Sequence, residues 1–316
     1  MGVSQCAASS PGSTHDAVVV GLGQACVDFL ARLPFYPEEN AKVELSGLQI
    51  ECGGPACTAI VTLAKFGVPT SFLGSVSDDY LGKRIIENLI SYGIDISNLK
   101  VTPGHTSQFA FIAISPGGYR TIFWHRGSMP PLAASDIDLS LYPRMRMLHL
   151  DGLMIEACIE AARQAKARGV PVMMDAGTMR EGSKDLVSLV DILVASETFA
   201  EPMIGKGADP REALKALKAL GPRHVVITLG EKGSVGMDEA GIYRQPAFPV
   251  DAVDTTGAGD VYHGAYIYAM LQGLDMQGCM RFASAAAALK CLHVGAQPGI
   301  PSLGEVMKFL EEAPCS

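Results

Sequence analysis

The stretch Val253-Asp254-Thr255-Thr256-Gly257-Ala258-Gly259-Asp260-Val261-Tyr262-His263-Gly264 sets three small residues directly before a carboxylate and an apolar helical pattern. With at most one side-chain carbon at 257, 258 and 259, the backbone there can come very close to a ligand. Val261, Ala265, Tyr268 and Ala269 fall at helical spacing, which predicts a helix beginning near Asp260. A helix start offers unpaired N–H donors and about half a positive charge, the surroundings that a phosphoryl group in transfer needs. Asp260 stands beside that hole, where a carboxylate can take the proton of an attacking hydroxyl. Standing alone, such a segment is as readily an N-terminal helix charge, so the rest of the chain has to decide.

Working outward, the apolar run 17–23 reads as a central strand of a parallel sheet, ending in small residues before Asp28. Segments 29–51 and 108–125 read as short alternating strands, the first broken by Pro34, Pro37 and Gly47, the second turning at Pro116-Gly117-Gly118. Helical spacing over 54–66 and 80–91 encloses a strand at 70–76. From residue 145 onward, strands at 147–150, 170–175, 192–194 and 225–229 alternate with helices at 155–168, 184–189 and 210–220, the βαβ pattern of a sheet covered on both faces. The last third reads as helices over 261–272, 276–292 and 303–312, with a turn-rich break at 295–301. The expected organisation is one large α/β domain (17–28, 52–107 and 126–316), a small β appendage (29–51 and 108–125), and an N-terminal tail over 1–16.

In this context the 253–264 segment resembles the signature of the ribokinase (PfkB) family of carbohydrate kinases, which has the form DTxGAGD. Four further segments match that family in its order and spacing between about 17 and 310. These are Glu51-Cys52-Gly53-Gly54-Pro55-Ala56-Cys57-Thr58-Ala59, Asp28 after the first strand, Thr228-Leu229-Gly230-Glu231-Lys232-Gly233, and Gly295-Ala296-Gln297-Pro298-Gly299-Ile300-Pro301. The resemblance implies a three-layer, Rossmann-like α/β fold with a mostly parallel sheet and a β lid that closes over a sugar and excludes water. It implies that Asp260 is the general base and that the backbone of Gly257, Ala258 and Gly259 is the anion hole. Asp28, Gly53, Gly54 and Thr58 would grip the acceptor, and Thr228, Gly230 and Gly233, with Gly257 and Gly259, would line the ATP site. Asp254 and the backbone at Gly295 would hold a monovalent cation, potassium in relatives, behind the anion hole. A homodimer formed through the lid belongs to the same set of expectations.

Two positions depart from the family pattern. Thr58 stands near where the family has a sugar-binding Asn, and the family's Asn-x-x-Glu motif for magnesium becomes Ser196-Glu197-Thr198-Phe199, leaving Glu197 as the acidic candidate. Magnesium held mainly by ATP phosphates and water would be compatible with that loss. Within the family, Gly53-Gly54-Pro55-Ala56, Gln245-Pro246-Ala247-Phe248 and 287–291 resemble the sulfofructose kinase subgroup, and Lys42 on the presumed lid could meet an anionic head group; as a lone charge it is equally a solvated lysine. The acceptor expected is a ketohexose, sulfofructose or ribose-type sugar phosphorylated on a primary hydroxyl. A nucleoside kinase of the same family, or a sugar or nucleotide sensor without catalysis, is the alternative.

Composition narrows the field. The 316 residues are 48% hydrophobic and 18% charged, which argues for a large core and against disorder. A net charge of −8, no Lys/Arg block and a single Trp speak against nucleic acid, and no run of about 18 apolar residues suits a membrane span. Cys6, Cys26, Cys52, Cys57, Cys158, Cys279, Cys291 and Cys315 form no CxxC pair and read as reduced, buried thiols of a cytoplasmic protein. The tail lacks a secretory signal, and Met1-Gly2 with Cys6 is a poor myristoylation site. No P-loop occurs, Gly21-Leu22-Gly23-Gln24-Ala25-Cys26 lacks the third glycine of a dinucleotide fingerprint, and no HExxH is present, so a nicotinamide oxidoreductase is disfavoured. His263, His293, Tyr262 and Tyr266 read as packing or hydrogen-bonding residues.

Overall fold

The computed structural model describes residues 16–116 and 120–313. In chain order the elements begin with strand β1 (Val19–Leu22), β2 (Cys26–Arg32), β3 (Gly47–Gly53), helix α1 (Pro55–Lys65), β4 (Thr70–Leu73), β5 (Ser75–Ser77), α2 (Tyr80–Ser91), β6 (Lys100–Thr102), β7 (Phe109–Ile114) and β8 (Arg120–His125). The second half runs β9 (Met147–Leu150), α3 (Ile155–Ala167), β10 (Val172–Ala176), α4 (Ser183–Val187), β11 (Ile192–Ser196), α5 (Glu201–Ile204), α6 (Pro210–Lys218), β12 (His224–Thr228), β13 (Ser234–Met237) and β14 (Ile242–Gln245), closing with α7 (Ala258–Leu271), α8 (Met276–Lys290) and α9 (Leu303–Glu312).

An eight-stranded sheet of order β14-β13-β12-β11-β10-β9-β1-β4 forms the centre. Its strands are parallel from β12 to β4, and β13 and β14 continue it antiparallel at one edge. Because successive strand residues face opposite sides, one apolar run feeds two cores. Val19, Met147, Met173, Ile192 and Val226 pack against the buried faces of α1, α7 and α8, whereas Val20, Leu148, Met174, Leu193 and Val225 pack against α3 and α6. That two-sided burial is why these strands read as continuous hydrophobic stretches rather than alternating ones. The result is the three-layer arrangement expected.

A separate four-stranded sheet, β3-β2-β7-β8, is built from the two stretches read as the appendage. Asp28 and Glu51 are opposite one another in the antiparallel β2–β3 pair, and β2 runs parallel to β7. The strands that Pro116-Gly117-Gly118 was expected to join, β7 and β8, pair antiparallel, with Gly117 and Gly118 outside the described residues. On its inner face Leu30, Ala110 and Ile112 form a small cluster with Val294 of the 291–302 loop, which seats this sheet on the large domain.

Three readings are corrected. The strand expected over 70–76 divides at Gly74, because 70–73 pairs with β1 while 75–77 turns to pair with β6. The edge strands β13 and β14 were not expected; each is four residues long, too short to show a period. Asp28 follows the first strand of the large sheet in the chain, but it lies within β2 of the small sheet and not in the sheet of the large domain expected over 17–28. The tail over 1–15 lies outside the described residues. Cys26, Cys52, Cys57, Cys158, Cys279 and Cys291 are unpaired, and no helix among the described residues is long and apolar enough to cross a membrane.

Candidate active site

The carboxyl ends of parallel strands are where α/β sheets gather ligands. Here they carry Asp151 after β9, Asp175 in β10, Ser196 at the end of β11 with Glu197 just beyond it, and Thr228 in β12. Helix α7 begins at the same edge. Its cap, Gly257, takes a left-handed conformation (φ 75°), and a Cβ there would lie 2.5 Å from the Ala296 methyl carbon, so the 257 and 296 backbones meet as only glycine permits. The helix therefore starts at Ala258, two residues before the expected point, and Asp260 sits in its first turn. Ala258 N–H donates to the Thr255 carbonyl at 3.2 Å. The N–H groups of Gly259 and Asp260, at the second and third helical positions, have no intrahelical acceptor within reach, and a Cβ on Gly259 would meet nothing within 4 Å, so that turn faces open space.

Asp260 is half-buried, and its carboxyl is pushed up to about 7 by burial first and then by the Asp175 carboxylate, while His263 and Arg120 pull it down. His263, one turn along α7, places Nε2 3.3 Å from Asp175 Oδ1. Burial works against the charge on Asp175, but the imidazole beside it holds that carboxyl below its ordinary value. His149 stacks obliquely on His263 with ring centroids 5.9 Å apart and is pushed down to about 3 by burial and by His263, which keeps it neutral. Asp260 thus stands over a buried Asp175–His263–His149 group whose members sit on three different elements.

Facing this edge, Asp28 is 6% exposed and raised to about 6 by burial, with the Cys26 thiol donating to its Oδ1 at 3.2 Å and opposing the shift. Gly53 is required beside it, since a Cβ there would lie 2.1 Å from Asp28 Oδ2. Gly54 caps α1 with φ 102°. Glu51, across the strand pair from Asp28, is raised to about 7 by burial, then by Asp28 and Asp254, and lowered by Lys290. Its Oε2 is buried without a hydrogen-bond partner among the described residues.

The residues expected to hold a monovalent cation are bonded to one another. Asp254 accepts from the Thr256 N–H and hydroxyl on Oδ1, at 2.9 and 2.7 Å, and from the Gly295 N–H on Oδ2 at 2.8 Å. These bonds hold the Asp254 carboxyl below the ordinary range against the opposing effect of burial. The buried Lys290 side chain ends at the same place, its Nζ donating to the Asp254 carbonyl at 2.8 Å.

Thr228, Gly230 and Gly233 form the tight turn between β12 and β13, closed by Leu229 N–H donating to the Gly233 carbonyl at 2.8 Å. Glu197 is exposed just beyond β11. Among the described residues no group of three or more His, Cys, Asp or Glu side chains could cage a metal. Thr58 is fully buried inside α1 and its hydroxyl has no partner among the described residues, which sets it beneath the cleft rather than in it. Lys42 is exposed on the segment between β2 and β3, joined to the acidic groups by no hydrogen bond or ion pair among the described residues. The sequence reading missed Asp151, Asp175, Glu51, Arg120 and Lys290. For Asp151 and Asp175 a signal existed: an acid at the end of a buried apolar strand marks the ligand edge.

The model of the pfkB family of carbohydrate kinases matches residues 16–303. The chain is 30% identical over 303 residues to a ribokinase of Haemophilus influenzae, covering 92% of this chain and 98% of that protein. It is 28% identical over 298 residues to a deoxyribokinase of Salmonella typhi, covering 92% and 97%. Among solved structures, Arabidopsis thaliana ribokinase complexed with ribose and ATP superimposes with a TM-score of 0.82 at 27% identity, covering 95% of this chain and all of that one.

Proposed function

Because the chain belongs to the pfkB family of carbohydrate kinases, we propose that it transfers the γ-phosphoryl group of ATP to a primary hydroxyl of a small sugar, of ribose, ketohexose or sulfofructose type. The observation that carries this reading is the Asp260 carboxyl in the first turn of α7, with a proton affinity near neutrality and open space before Gly259. A base with that affinity is matched to taking a proton from an alcohol at neutral pH. The sugar O–H bond breaks with its proton passing to Asp260, the oxygen bonds to the γ-phosphorus, and the bond to the β-phosphate oxygen breaks to release ADP. Of the expected anion hole, the N–H groups of Gly257 and Gly259 would meet the charge on the phosphoryl group in flight, with that of Asp260 in place of Ala258, whose N–H is already given to the Thr255 carbonyl. Magnesium bound with ATP supplies further charge neutralisation. A mere sensor would have no use for a carboxylate set in the first turn of α7 directly after the complete glycine run and beside that open space. ADP release with ATP, magnesium and a panel of sugars tests the reading; turnover of nucleosides alone would replace the acceptor, and no turnover of any alcohol would sink it.

The primary hydroxyl follows from reach. Asp260 is fixed on one helix start, and Asp28 and the Gly53-Gly54 turn are fixed on the opposing sheet, so an acceptor gripped by its ring hydroxyls must extend its free arm to the base. Asp28→Ala is expected to raise the KM for sugar strongly while leaving the Kd for ATP nearly unchanged. Equal weakening of both ligands in calorimetry would make Asp28 a structural residue.

The homodimer through the lid is supported by the pattern of the small sheet. Ile50, Phe29, Phe111 and Phe123 are aligned by register across four strands on the face opposite Asp28, and Ile50 and Phe123 are exposed, the latter at 53%. An apolar row of this kind on a lid is suited to the same row on a second copy, an isologous contact. Phe123→Lys is expected to convert a dimer to a monomer in sedimentation; a parent protein that is monomeric at high concentration would overturn the assignment.

A further inference from the structure

The position that the family resemblance gives to a monovalent cation is built differently in this chain. Lys290, the last residue of α8, is 0% exposed. Its Nζ donates to the carbonyl oxygens of Asp254 at 2.8 Å and His293 at 3.4 Å, and lies 4.0 Å from Asp254 Oδ2. The Asp254 carboxylate is further engaged by Thr256 and by the Gly295 N–H. A potassium ion would have to take these same carbonyl and carboxylate oxygens, and the ammonium already holds them. The residues therefore do not fit an added cation. A buried ammonium is costly unless acids and carbonyls surround it; Asp254 and Glu51 both feel this one, and its charge lowers Glu51 as it supports Asp254.

We propose that Lys290 supplies from within the chain the positive charge that the resemblance assigns to potassium, tying the 254–258 segment to the 293–296 turn, so that the enzyme works without a monovalent cation. The two segments it joins are those that meet at Gly257 and Ala296, directly behind the first turn of α7. Lys290 touches no reacting atom in this scheme and acts as a positioning residue for the anion hole.

The proposal rests on the kinase reading for its activity measurement only. The purified protein is titrated with potassium chloride against choline chloride at constant ionic strength, following ADP release with an accepted sugar and, separately, the midpoint of thermal unfolding. No potassium-specific change in either is expected. Potassium-specific activation, or a potassium-specific rise in the midpoint of the kind that native-state binding produces, would overturn the proposal. Failure of the kinase reading would show instead as no ADP in any salt, and the unfolding titration would still decide for or against Lys290. Lys290→Ala opens a cation-sized space and is expected to lower kcat by about 10²-fold through loss of the preorganised hole, with recovery on adding potassium or ammonium but not choline. A folded alanine variant that loses activity and recovers with no cation would count against the charge replacement; should that variant not fold, the titration of the parent protein decides alone.

Discussion

Asp260→Asn is expected to lower kcat by about 10²- to 10⁴-fold, the usual cost of losing a general base, while ATP binds as before. The asparagine is isosteric and keeps the first turn of α7, so the loss isolates proton abstraction. The parent enzyme should also show a rise of kcat/KM with pH through neutrality, because Asp260 must be unprotonated to accept a proton and burial has raised it to about 7. The sign of the stability effect follows from the same shift. A carboxyl raised on folding holds its proton more tightly in the native state, so its contribution is complete below the ordinary carboxylate value and is lost as pH climbs through neutrality. Asp260→Asn should therefore melt at a higher temperature than the parent at mildly alkaline pH, and both proteins should melt alike in acid. Near-parental turnover in the purified variant would remove Asp260 from the mechanism.

Parts of this site were open to reading in the sequence and parts were not, for identifiable physical reasons. The helix expected over 80–91 from its spacing keeps those bounds, since its hydrophobic face repeats cleanly and in the structure Asp79 caps it, accepting from Gly82 N–H. The parallel strands of the large sheet were legible because burial on both faces leaves them mostly apolar, whereas the short antiparallel strands β13 and β14 at its edge were not. The small sheet was legible in outline, since one face stays exposed, but the place of Asp28 was not: its neighbour across the strands is Glu51, more than twenty residues away, and a register cannot be read from one strand. The Asp175–His263–His149 group draws on β10, α7 and β9, and only the sheet order brings them together. Lys290 is the sharpest case. At the end of the run Ala286-Ala287-Ala288-Leu289 it lies inside the helix expected over 276–292 with nothing to set it apart, yet α8 ends at it, its Nζ reaches the His293 carbonyl of the following turn, and it is fully enclosed. Burial of a single charged side chain leaves no periodic mark in a sequence.

Gly257 and Gly259 lie two residues apart in the same signature and should fail in opposite ways when each is replaced by alanine. At 257 the new methyl group would strike the Ala296 Cα, 2.9 Å away, and the Ala296 side chain, and it would sit at φ 75°. A left-handed conformation alone costs a non-glycine residue about 1–2 kcal/mol, and the contact adds to this, because the nearest atoms are the Ala296 methyl carbon and Cα, neither of which can rotate aside. Relief requires the start of α7 to move from the 293–296 turn, which carries Asp260 and the N–H donors with it. Gly257→Ala is therefore expected to lower both the melting temperature and kcat, the latter by about 10²- to 10³-fold as for a lost anion-hole donor. At 259 the methyl group meets nothing within 4 Å and projects into the cleft before the helix. Gly259→Ala should melt at or above the parental temperature, because alanine is the better helix former by about 1 kcal/mol, while ATP turnover falls as the methyl group occupies the space of the phosphoryl group. Parallel melting curves and steady-state kinetics on the two variants separate these outcomes. A Gly259→Ala enzyme with parental kcat would show that the phosphoryl group does not pass before this turn, and a Gly257→Ala enzyme with parental stability would show that the helix start is not pinned at Ala296.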